Sequence, residues 1–171
     1  MPLIVAVVVG LVVVAGLFVS GYATRGGAHN TAGDDTLAAI TARAAAVMPF
    51  DLNATVHTFT MNDRGGVELV VAKDPADQRN TNLIRDHLRH EATEFGKGNF
   101  AASAAIHGAD MPGLRKLQAA TGRLSVVYEV APAGARIIYS GNDADVVAAI
   151  HEWFGAQTSD HSMPGMGGMG G

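Results

Sequence analysis

The chain ends in Ser159-Asp160-His161-Ser162-Met163-Pro164-Gly165-Met166-Gly167-Gly168-Met169-Gly170-Gly171, a glycine-rich strap that spaces three methionines evenly behind a histidine. Thioethers and imidazoles in this mixture suit copper better than magnesium or calcium. Two or three thioethers hold Cu(I), and added imidazoles favour Cu(II). The same His-then-Met-Pro-Gly grouping recurs inside the chain at His107-Gly108-Ala109-Asp110-Met111-Pro112-Gly113. There Pro112 fixes one backbone dihedral and stiffens a loop bounded by glycines.

A second constellation lies at Asp86-His87-Leu88-Arg89-His90-Glu91-Ala92-Thr93-Glu94. On a helix, His87 and Glu91 stand one turn apart, and so do His90 and Glu94. Two imidazoles and two carboxylates on adjoining rows are able to hold a metal. The same spacing also serves as solvated His–Glu pairs, each worth a few tenths of a kcal/mol. The order HxxHE matches neither HExxH nor HxxEH, so a zinc protease is not indicated. His151, beside Trp153 and Phe154, falls at the edge of an inward face, where a hydrogen-bonded border histidine is the alternative to a ligand. His57 shares a strand face with Phe59 and Met61, and approaches His87 or His151 if helices cover that face.

These considerations give His87, His90, His107, Met111, His151 and His161 as candidate metal ligands, with Met163 and Met166 (and Met169) as auxiliary thioethers. Glu91, Glu94 and Asp110 would orient the free ring N–H groups. Haem held by His and Met axial ligands is the alternative cofactor, and three histidines with an open position would suit a hydrolytic metal centre. No catalytic residue is assigned: G-x-S-x-G and a P-loop are absent from the sequence, and no G-x-G-x-x-G opens a βαβ unit.

The elements that must position these residues read as follows. Asp34 or Asp35 caps a spacer helix with an apolar stripe at Leu37, Ile40, Ala44 and Val47, stopped by Pro49. Val56 to Met61 and Val67 to Ala72 are strands around the turn Asn62–Gly66. A helix runs from about Asn80 to Phe95 and ends at Gly96 and Gly98. A loop covers Asn99 to Pro112, and a short helix Gly113 to Ala120. Leu124 to Val130 and Ala135 to Ser140 form a second hairpin, and Asn142 or Asp143 caps a last helix to about Gln157. The order is ββαββα, with Leu88–Glu91 aligning against Ala149–Glu152 as in an internal duplication. The expected fold is α+β: a four-stranded antiparallel sheet with two helices on one face.

The chain has 171 residues, no cysteine and a net charge of −4. Disulfides, Cys-type zinc sites and thiol nucleophiles are excluded. The negative balance argues against a nucleic-acid partner. Leu3 to Ser20 carries no charge and would span roughly 27 Å as a helix, close to the hydrocarbon thickness. Residues 1–23 therefore read as a transmembrane anchor or a signal peptide, with Gly21-Tyr22-Ala23 as its cleavage site. Residues 24–49 are linker and spacer helix, 50–159 the α+β domain, and 160–171 the Met/Gly-rich tail.

The segments HLRHEATEF, AAIHGADMPGL and VAAIHEWFGAQTSDH, between Leu83 and His161, resemble a group of small exported bacterial proteins, some of which carry an aspartate carbamoyltransferase label. The resemblance covers about half of the chain, and the AAIHG-x-DMPG segment is its most distinctive part. It implies an envelope-associated domain. The Ser-Thr-Arg-Thr phosphate loop of that enzyme is absent here, as is its larger two-domain body. The sequence thus leads to a single-pass, membrane-anchored domain on the extracytoplasmic side that binds copper for delivery or storage. An accessory subunit of a membrane protein complex is the rival.

Overall fold

The computed structural model describes residues 6–9 and 31–159, with side chains from Ala38 to Thr158. The described chain comprises β1 (Ala6–Val9), α1 (Thr31–Val47), a 3-10 turn (Leu52–Ala54), β2 (Thr55–Asn62) and β3 (Gly65–Ala72). It continues with α2 (Gln78–Gly96), α3 (Ala101–His107), α4 (Leu114–Gln118), β4 (Leu124–Ala131), β5 (Gly134–Gly141) and α5 (Ala144–Ser159). The sheet is antiparallel throughout, in the order β1-β2-β3-β5-β4.

The α+β class and the two hairpins agree with the sequence pattern. Each hairpin joins two strands of eight residues. Register places Phe59, Glu68, Ile137 and Tyr128 in one cross-strand row, and His57, Val70, Ala135 and Val130 in the next. Alternation then points His57, Phe59, Glu68, Val70, Ile137 and Tyr139 to one side of the sheet. Both long helices cover that side: Phe95 of α2 and Trp153 and Phe154 of α5 all make ring contacts with Tyr139.

Local signals set the helix ends. Asp77 caps α2, its carboxylate accepting the Asn80 N–H at 3.0 Å, so the helix starts slightly before the expected Asn80. Asp143 accepts the Val146 N–H at 3.0 Å and caps α5. Glycine spacing misleads in one place. The stretch expected as a loop from Asn99 to Pro112 contains α3, because Ala101-Ala-Ser-Ala-Ala-Ile is a strong helix-forming run between its glycines. α1 begins at Thr31, ahead of the acidic pair read as its cap. Its Ile40 and Ala44 pack on Ile106 of α3, and the Arg43 Nε donates to the Ile106 carbonyl at 2.6 Å.

The expected duplication holds in layout and not in detail. His90 and Glu152 are exposed, whereas their aligned partners His151 and Glu91 are half-buried and buried. Most of the hydrophobic stretch Leu3–Ser20 lies outside the described residues. Four of its members, Ala6–Val9, form β1 on the outer side of β2. Among the described residues no helix is long and apolar enough to cross a membrane.

Candidate functional site

The two helices, α1 and α3 do not close completely over the sheet. They leave a cavity of about 80 Å³, roofed by Thr41 and Ala44 of α1 and by Met48 just after it, and walled by Phe59, Phe95 and Trp153. Two carboxylates face into it, Glu68 from β3 and Glu91 from α2, together with His57 from β2 and His107 at the end of α3. Both glutamates are buried.

A buried carboxylate needs a partner or a proton. Glu68 has both. The Tyr139 hydroxyl donates to its Oε2 at 2.9 Å. Burial pushes the Glu68 carboxyl up to about 8, and the charge of Glu91 adds to this; the Tyr139 hydrogen bond and the His87 charge oppose it. Burial, with the charges of Glu68 and Glu91 behind it, also raises the Tyr139 phenol, which stays a donor.

Glu91 faces His87 one turn earlier on α2, with Oε1 3.4 Å from Nε2. The separation is that of an ion pair rather than a well-formed hydrogen bond, and Nε2 is buried without a hydrogen-bond partner. Burial lowers the His87 imidazolium, but the contact with Glu91 and the charges of Glu91 and Glu68 outweigh it, and the net shift is upward. Phe50 wedges between the two histidine rings, its centroid 5.8 Å from His57 and 5.6 Å from His87. At neutral pH Glu68 therefore keeps its proton, beside the Glu91–His87 contact and inside an apolar and aromatic shell. A carboxyl held near 8 can give up its proton when a cation arrives, so that the net charge does not change.

The candidate ligands are dispersed. His87 joins the buried cluster. His90 is exposed on the far side of α2. His107 is half-buried at the cavity rim and also borders a surface depression formed by Gly108 to Pro112 and Ala156. The Met111 side chain is buried, and its Sδ accepts from the Ser103 hydroxyl at 3.8 Å. His151 has its Nε2 within 3.0 Å of the Asn62 carbonyl oxygen and 2.9 Å of that of Gly65, which ties α5 to the β2–β3 turn. His161, Met163, Met166 and Met169 lie outside the described residues. Among the described residues no three His, Asp or Glu side chains converge as metal ligands.

Within the internal His-Gly-x-Asp-Met-Pro-Gly run, Met111 and Gly113 have packing roles. Asp110 pairs with Arg115 at the surface. Gly113 has φ +76°, and a Cβ there would stand 2.3 Å from the Ala149 carbonyl oxygen and 2.8 Å from the Trp153 nitrogen. Gly113→Ala should thus combine backbone strain with a clash against α5, lowering stability by about 2–3 kcal/mol. A urea melt checks this; a change below about 0.5 kcal/mol would show that α4 and α5 can move apart there.

Sequence reasoning passed over Glu68, Tyr139 and Ser103. The signal for Glu68 was present: in Gly66-Val67-Glu68-Leu69-Val70 the carboxylate alternates in phase with His57 and Phe59 across the hairpin. An acid on the core side of a strand is the pattern to look for. No protein-family model, no curated protein and no solved structure matches the chain.

Proposed function

We propose that the protein is an envelope-associated domain that binds copper for delivery or storage, through the C-terminal tail acting with His107. The observation that carries this reading is where α5 ends. Ala156 borders the same depression as His107, and Gln157 lines the same cavity. The last turn of α5 therefore stands beside His107. His161 follows Ser159, the last residue of α5, by two residues, a reach of up to about 7 Å for extended chain. In this reading one imidazole, His161, and the thioethers of Met163 and Met166 act with the His107 ring. Met111 does not belong to this set, because its thioether is packed inside. His90, His87 and His151 do not belong either, since each stands elsewhere in the fold.

The uncharged run Leu3–Ser20 supports export, as a retained single-pass anchor or a cleaved signal, with the domain on the extracytoplasmic side. The resemblance to exported bacterial proteins points the same way. The test is copper analysis of the loaded and desalted full chain beside a variant ending at Ser159 and the His107→Ala variant. Full-length protein should retain about one copper, the shortened variant almost none, and His107→Ala should bind roughly tenfold more weakly. Equal retention in all three would end the proposal.

One observation favours a second reading, an accessory subunit of a membrane complex. Val127 and Val130 on the edge strand β4 stay exposed. Isolation of a stable complex lost on Val127→Lys would support it; a monomer from native membranes would oppose it.

A further inference from the structure

The inner part of the cavity differs in chemistry from the His107 rim. Its inner wall offers two carboxylates and three aromatic rings, and its volume of about 80 Å³ is that of only a few heavy atoms, a water's share of liquid being about 30 Å³. We propose that this cavity binds a small organic ammonium ion, a primary amine with a short apolar body, its nitrogen between Glu68 and Glu91 and its chain against Phe59, Phe95 and Trp153.

The charge count selects a cation. Glu68 is faced by Tyr139 of β5, by Glu91 and His87 of α2, and by His57 of β2, with His107 at the rim. The phenol is a neutral donor, and His87 stands 3.4 Å from Glu91. An ammonium ion entering this cluster lets Glu68 release its proton to solvent, so one positive charge replaces another. An anion has no cationic partner to gain from the two glutamates, and a neutral alcohol brings a single donor where an ammonium group brings three. Glu91 also has room for a donor: its contact with His87 is 3.4 Å, too long for a well-formed hydrogen bond. The aromatic walls favour a cation over a neutral isostere.

Titration calorimetry of the full chain with n-butylammonium at pH 7, in two buffers of different ionisation enthalpy, tests this. The expected result is saturable one-to-one binding with release of about one proton per ligand. n-Butanol and butyrate at the same concentrations should not bind. Trp153 is the single tryptophan of the chain and lines the cavity, so its indole N–H resonance should shift with the amine and not with the isosteres. Glu68→Gln can still accept from Tyr139; with an unchanged circular dichroism spectrum, it should bind the amine about tenfold more weakly and release no proton. Equal binding of butanol or butyrate, the same proton release in Glu68→Gln, or an unmoved indole resonance at saturating amine would each overturn the proposal. The tail-deleted chain should bind the amine normally, so failure here and failure of the copper reading are distinguishable.

Discussion

Glu68→Gln should leave the domain far less sensitive to alkaline pH than the wild type. The Glu68 carboxyl is raised from 4.5 to about 8 in the folded protein. Between these values the folded state keeps a proton that the unfolded chain has released. Stability therefore falls as pH rises through this window and levels off above about 8. A tenfold difference in proton affinity between the folded and unfolded states corresponds to about 1.4 kcal/mol, and the whole effect is on the order of 3–5 kcal/mol. His87 acts with the same sign. Its folded value is raised above 6.5, so its contribution is complete below 6.5 and is lost as pH climbs through the folded value. The lowered carboxylates Asp77, Glu94 and Asp143 have the opposite sign. Their contributions are lost only as pH falls below the ordinary carboxylate range, outside this window. Urea melts between pH 5 and 9, followed by Trp153 emission, should give a descending wild-type profile and a flatter one for Glu68→Gln. Two parallel profiles would show that Glu68 is ionised in the fold, and the charges assigned to the buried cluster would be wrong.

The sequence carried the fold further than it carried the site, and particular residues show why. Period-two alternation in Val56–Met61 and Val67–Ala72, and the stripe Ile84, Leu88, Ala92 and Phe95, are local signals, and each element stands where its period placed it. The site is assembled across elements. Glu68 and Glu91 come together only through the packing of α2 on the central strands, which no spacing along the chain encodes. The His87–Glu91 pairing was legible at helical spacing, but its burial was not, since it depends on Phe50 folding back over the helix. Methionine misled in the other direction. Chemically Met111 resembles the tail methionines. Its surroundings, a hydroxyl from Ser103 and a closed apolar wall, make it part of the core. Residue type alone does not separate a thioether that packs from one that binds.

Trp153→Ala should be the most damaging single truncation in the core, lowering stability by about 3–5 kcal/mol. Trp153 is 1% exposed. Its ring meets Phe95 at 5.8 Å, Phe100 at 5.6 Å, Tyr139 at 5.3 Å and Phe154 at 5.6 Å, so one side chain joins α2, α5, the sheet and the start of α3. Apolar burial is only part of the effect. The indole Nε1–H donates to the Ser103 Oγ at 3.1 Å, and that hydroxyl donates onward to the Met111 sulfur. Truncation leaves a buried hydroxyl lacking one partner and opens a void beside a cavity that already exists. Trp153→Phe separates the two contributions, because it keeps most of the ring volume and removes only the donor. It should cost about 1–2 kcal/mol, and adding Ser103→Ala should recover part of that loss. Chemical denaturation followed by far-ultraviolet circular dichroism measures all three variants, since the fluorescent reporter is gone. Simple additivity of Trp153→Phe and Ser103→Ala would mean that the indole–hydroxyl bond contributes nothing, leaving ring packing as the link between the helices and the sheet.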